Sequence, residues 1–222
     1  MFIPKAHIIV IDGKENSGRN TLCFELALVL LYNAQKTAIV LADDSPLQAT
    51  IKKRLNLLPQ LLTPSIIKRE DFYTKANDFS AILIPHASAD DALAVTASTY
   101  ITMLAKNNKE NPEVKSNSPE INQIFELKKK IAATYNRSLD WIICENNLTD
   151  SLIDSASEKL KKSTHLCGFR VSPPLNYRLS YKNNISGLSA QDKSLPMLQK
   201  DMTYEDICAK KEVIKLAEFI FS

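Results

Sequence analysis

The sequence predicts an α/β chain: a doubly wound, mostly parallel sheet with helices on both faces. Three observations predict it. Apolar runs of strand length alternate with stretches of helical period. The runs are continuous rather than alternating, as in strands covered on both sides. Two of only four glycines, Gly13 and Gly18, lie together between the first apolar run and the first periodic stretch.

Taken in order, His7 to Asp12 reads as the first strand. Leu22, Leu26, Val29 and Leu30 then recur at the spacing of a helix with one buried side. A turn at Asn33 to Lys36 leads to a second strand, Thr37 to Ala42, completing a βαβ unit. Ser45-Pro46-Leu47-Gln48 has the form of a helix start, with a capping serine, a first-turn proline and a glutamine three residues after the serine. Leu47, Ile51, Leu55 and Leu58 supply that helix's apolar side. Further strands are expected at Ala81 to Ile84, Tyr100 to Leu104, Asp140 to Glu145 and Leu166 to Val171. Helices are expected from Ser118-Pro119, carrying Ile121, Phe125, Ile131 and Tyr135, over about Ser151 to Lys162, and over Tyr204 to Phe221. The polar stretch Lys106 to Ser118 reads as a mobile loop inside one domain spanning 1–222.

Composition narrows the function classes. Basic residues number 28 against 25 acidic, a net charge of +3, so any anion site must be local. Leu22 to Tyr32 is the longest apolar run, it falls short of the ~18 residues of a membrane span, and Glu25 interrupts it. The N-terminal run Ile8 to Ile11 lacks the form of a signal peptide, which points to the cytoplasm. The four cysteines are widely spaced, without a C-x-x-C pair, and read as reduced packed thiols rather than a metal site. His7, His86 and His165 lie far apart in sequence and read as strand-end or surface residues. Trp141, within the Asp140 to Glu145 run, reads as core.

Between the first strand and first helix lies Gly13-Lys14-Glu15-Asn16-Ser17-Gly18-Arg19-Asn20-Thr21, the G-x-x-x-x-G frame of a phosphate-binding loop in its strand-to-helix context. Such a loop cradles phosphate oxygens with backbone N–H groups and the helix N-terminus. A lysine after the second glycine and a hydroxyl for Mg²⁺ complete it. Here those two places hold Arg19 and Asn20. Arginine keeps the charge on a bulkier planar head, and an amide is a poorer Mg²⁺ partner than a hydroxyl.

Lys14, four residues before Gly18, gives the loop a resemblance to the deviant Walker A motif, KGGxGK[ST]T, of the ParA/MinD group of P-loop ATPases. Lys14, Gly18 and Thr21 are kept, while Glu15 and Asn16 stand where glycines are expected. Within that group the chain is more similar to the MipZ branch. Leu30-Leu31-Tyr32, Lys36 to Val40, Leu139 to Ile143 with Asn146 and Leu148, and Gly168 to Val171 carry the likeness. So do Pro174-Leu175, Arg178, Tyr181, and Gly187-Leu188-Ser189 with Asp192.

The resemblance implies a P-loop NTPase-like fold and a regulator of division-site placement or chromosome partition, with ATP and Mg²⁺ as ligands. Gly13, Lys14, Ser17, Gly18, Arg19, Asn20 and Thr21 would hold the phosphates, and Asn146 would meet the adenine. Lys14 would reach across a homodimer, and Asp43 would help position the attacking water. Arg170, Arg178 and Lys182 would face non-specific DNA, implying a nucleoid-associated protein with a partition or division partner. Solvated surface charge accounts for those three basic residues equally well. The acid two positions before Asp43 is Leu41, and the Walker B aspartate falls on Pro85. Substitutions at 19, 20 and 85 all strike the phosphate and metal chemistry. Two readings follow: a nucleotide-linked switch with weak or absent hydrolysis, and a pseudo-ATPase binding module that no longer takes nucleotide.

Overall fold

The computed structural model describes residues 4–57, 59–85, 87–105, 119–148, 168–176, 178–181, 187–196, 198–199 and 202–222. Strand β1 (His7–Gly13) is followed by helix α1 (Arg19–Tyr32), β2 (Thr37–Leu41) and α2 (Pro46–Leu57). Then come β3 (Ser65–Lys68), the short α3 (Phe72–Lys75), β4 (Ala81–Pro85) and β5 (Thr99–Ala105). After these stand α4 (Pro119–Tyr135), β6 (Asp140–Leu148), β7 (Arg170–Val171), β8 (Leu175–Asn176) and α5 (Tyr204–Phe221). The strands form one sheet in the order β3-β2-β4-β1-β5-β6-β7, with β8 also paired to β6, and every pairing is parallel. This is the doubly wound α/β architecture that the alternation predicts. Among the described residues no helix is long and apolar enough to cross a membrane.

The continuous apolar runs are explained by burial on both faces. Along β1, Ile8 and Val10 enter one core, with α4, while Ile9 and Ile11 enter the other, with α1, α2 and α5. The same alternation divides Ile82 and Ile84 from Ala81 and Leu83 on β4. On β6 it divides Trp141 and Ile143 from Ile142 and Cys144. Trp141 is core, as its sequence context predicts: Phe125 and Phe169 meet it edge-on, and its indole N–H donates to Thr102 Oγ1 at 3.0 Å. α4 buries Ile124, Leu127 and Ile131, with Phe125 and Tyr135 at the margin.

Several elements depart from expectation. β3 and β8 are additions, and the strand expected over Leu166 to Val171 is described only at Arg170–Val171, after a turn at Gly168. The predicted helix over 151–162, the polar loop at 106–118, and Lys182, His86 and His165 lie outside the described residues. α2 starts at Pro46 as read, but Ser45 does not cap it: its hydroxyl is buried without a hydrogen bond, and the first turn closes through Gln48 N–H to the Ser45 carbonyl at 2.9 Å. Leu55, expected on the apolar side, is half exposed.

The neighbouring Arg54 is fully buried instead, because a carboxylate far along the chain meets it. Its Nη1 and Nη2 donate to Asp192 Oδ2 and Oδ1 at 2.5 and 2.7 Å. Nε reaches the Leu62 carbonyl at 2.8 Å, and Nη1 also reaches that of Gly187 at 2.9 Å. The Tyr32 hydroxyl donates to Asp192 Oδ1 at 2.6 Å, so α1, α2 and the 187–192 turn are joined at one buried point. At the opposite edge, Arg170 forms a bidentate pair with Asp140 (2.9 and 2.6 Å) and caps the Phe219 carbonyl, fixing the end of α5 to β6 and β7.

Two stability outcomes follow. Asp192→Ala strands a buried guanidinium and should cost about 3–5 kcal/mol in urea denaturation, most of which the Arg54→Met/Asp192→Leu pair recovers. Trp141→Ala should cost about 3–5 kcal/mol in the same measurement, as a large buried aromatic lost from packed neighbours.

Candidate functional site

The parallel sheet sets the C-terminal ends of all strands along one edge, where ligands bind in such folds. The loop at 13–21 leaves β1 at that edge, between β4 and β5. Gly18 is the N-cap of α1 and takes φ +88, a left-handed conformation suited to glycine. Asn16, in place of an expected glycine, takes φ +62. Asparagine is among the few other residues that tolerate that region, so the loop path survives the substitution. Gly13 is required by close approach: a Cβ there would lie 2.6 Å from Ser17 Oγ and 2.9 Å from the Met103 carbonyl. Lys14, Glu15 and Asn16 are exposed, and Ser17 is buried.

Side chains of the chain itself bond to this loop's backbone. Arg19 folds back, and its Nη1 donates to the Gly13 carbonyl. Asp12 Oδ1 accepts from the Gly13 N–H at 2.8 Å, and Asp12 Oδ2 accepts from the Tyr100 hydroxyl at 2.8 Å. Burial and the Asp12 carboxylate together push the Tyr100 phenol far above its ordinary range. The Ser17 N–H closes a turn onto the Lys14 carbonyl at 3.1 Å. Asn146, on β6 two strands away, places its Nδ2 against Gly18 and donates to the Ser17 carbonyl at 2.7 Å. Asn146 is therefore part of the loop's own bonding, not a side chain standing apart from it. Asp12 and Tyr100 were not singled out by sequence; the signal for Asp12 was its place at a strand end directly before a glycine, where a short carboxylate bonds local backbone.

The metal and water positions are filled otherwise. Pro85 ends β4, buried and in register with Ile11, where the resemblance expects the Walker B acid. Leu41 ends β2 and is buried. Asp43 is exposed and lies 3.6 Å from Lys68 Nζ, a surface ion pair of little energetic weight. Asp91 pairs with Arg69 and accepts from Leu93 N–H at 2.9 Å, and Asp90 accepts from Gln123 Nε2 at 3.1 Å. Both are committed to fastening 87–97. Among the described residues no group of three or more His, Cys, Asp or Glu could hold a metal ion. At positions 85 and 20 a proline ring and an amide stand where the resemblance expects a carboxylate and a hydroxyl.

The basic residues read toward DNA divide. Arg170 is engaged with Asp140 and the end of α5, and lies over the Phe219 ring at 4.4 Å. Arg178 pairs with Glu212 at 2.7 Å and Glu205 at 3.2 Å, and Lys182 lies outside the described residues. His7 sits at the start of β1, away from the loop, bonded to Thr99 Oγ1 at 3.0 Å, and burial lowers its pKa.

The solved structures to which this chain is similar share that sheet. A chain of the MinC:MinD cell division protein complex of Aquifex aeolicus matches with a TM-score of 0.57 at 13% identity, over 97% of this chain and 96% of that one. The McdA(D38A)–ATP complex of Cyanothece matches at 0.54 and 13%, over 96% and 98%. The septum site-determining protein MinD complexed with Mg-ADP, from Pyrococcus horikoshii OT3, matches at 0.56 and 14%, over 97% and 96%. No curated protein sequence matches. A sequence profile of the ATPase MipZ family matches residues 72–220, a span that begins beyond the 13–21 loop and covers most of the chain. On that match the chain belongs to the ATPase MipZ family.

Proposed function

We propose that this protein regulates division-site placement or chromosome partition as a binding module, and that it does not turn over ATP. The observation that carries the reading is the Arg19 guanidinium bonded to the Gly13 carbonyl, in the frame where the outer phosphates would draw the loop cation. A guanidinium held by its own loop is not aimed at a transferring phosphoryl group. Phosphoryl transfer depends almost wholly on positioning and on charge neutralisation by metal and cations. Pro85 and Leu41 supply neither charge nor a metal ligand.

The family's sequence is carried by 72–220, downstream of the loop, which supports a retained scaffold and partner surfaces beside a diverged phosphate site. The partner is a protein of the division or partition machinery, by analogy with the MinC:MinD complex. The fold serves here as a rigid support rather than as a catalyst.

Phosphate release from the purified chain with ATP and Mg²⁺ should equal that of Lys14→Ala, and release above that control overturns the reading. Calorimetric titration should give no heat up to millimolar ATP, and gel filtration should show one elution position with and without it. Arg19→Lys alone should leave turnover at background, because Asn20 and Pro85 remain.

A further inference from the structure

Glu25 lies in the middle of α1, within the apolar run, and is fully buried. Its carboxyl group is met by the 187–192 turn. Ser189 Oγ lies 2.6 Å from Oε2, the Ala190 N–H donates to Oε1 at 3.4 Å, and Gln191 Nε2 approaches Oε2 at 3.4 Å. Ser189 Oγ in turn accepts the Gln191 N–H at 2.9 Å. One carboxyl group thus organises the contact between the turn and the helix that begins at the phosphate loop.

Among the described residues the charges around it do not balance. From the turn, Asp192 faces the same interior, and from α2 comes Arg54, both of whose terminal nitrogens go to Asp192. From α1 itself, Tyr32 donates to Asp192. From the 178–181 segment, Tyr181 senses the charge of Glu25, and its hydroxyl donates to the Ala209 carbonyl at 3.1 Å and lies 3.3 Å from Glu212 Oε2 on α5. Arg178 is committed to Glu212 and Glu205. Each guanidinium already has its carboxylate, and among the described residues no cation pairs with Glu25. A buried carboxylate without a cation is costly when ionised and much less so when it holds a proton.

We propose that the contact between α1 and the 187–192 turn is a proton-set latch: closed while Glu25 is protonated, and loosened when it ionises. In the closed state the carboxyl proton keeps the group neutral while the Ser189 hydroxyl donates to Oε2 at 2.6 Å. On ionisation the group becomes an uncompensated negative charge beside Asp192, whose own charge Arg54 already matches, and release of residues 189–191 lets water reach it. The Arg54–Asp192 pair keeps the rest of the turn in place. Burial as the leading cause, and Asp192 as a further one, push Glu25 up to about 7, against three hydrogen bonds that act the other way.

The sign follows from linkage. The closed form holds a proton that the open form, with its ordinary carboxyl, releases once pH exceeds about 4.5. The open population therefore rises with pH up to about 7 and levels off above it.

Amide hydrogen exchange of residues 189–192 in the full chain, corrected for intrinsic rate, tests this between pH 5 and 8. Opening should rise about tenfold per pH unit up to the plateau in the unaltered chain. In Glu25→Gln it should be flat and, at pH 8, lower than in the unaltered chain. A flat profile in the unaltered chain, or a slope retained in Glu25→Gln, overturns the latch. Should that variant fail to fold, carbon-detected titration of the Glu25 carboxyl in the unaltered chain decides. A midpoint near neutrality supports the proposal, and one in the ordinary carboxylate range overturns it.

Discussion

Burial of β1 on both faces is the constraint from which the rest follows. A strand with Ile8 and Val10 in one core and Ile9 and Ile11 in the other can pair only in the middle of a sheet whose two sides are both covered. Parallel pairing with β4 and β5 then requires each connection to return over a face; helices fill most of those returns, while β4 and β5 are joined, among the described residues, with only a short 3-10 turn at Ala94–Thr96. All strand ends that carry chemistry meet along one edge. The loop at 13–21 has its position because β1 has no other way out.

What the loop does there is decided by short-range chemistry. The Gly13 amide goes to Asp12, the Gly13 carbonyl to Arg19 and the Ser17 carbonyl to Asn146. These bonds give the loop definite partners inside the chain, drawn from its own residues, from β1 and from β6. Left-handed conformations at Asn16 and Gly18 shape its course although the glycines expected at 15 and 16 are both replaced.

The legible part of the fold was the part written in continuous apolar runs: β1, β2, β4, β5 and β6 with the helices between them. Four-residue β3 and two-residue β8 are too short to show a period, and only their neighbours make them strands. Helical spacing chose Leu55 for the inside of α2, whereas Arg54 is there, because Asp192 awaits it 138 positions later. No local pattern encodes such a partner. Glu25 likewise read as an interruption of an apolar run, when it is the polar centre of a contact with Ser189. For the candidate site, spacing located the loop and the altered positions 19, 20 and 85. Where Arg19 and Asn146 point depends on tertiary neighbours, and only the folded chain discloses it.

The rims of the sheet carry a separate consequence. One is closed by β3, with Ser65 and Lys68 exposed at its ends, and the other by the two residues of β7. Brief, partly charged borders present few open backbone groups to a neighbouring molecule and discourage edge-to-edge growth into larger aggregates. On these described borders, contact with another molecule falls to side chains rather than to added strands.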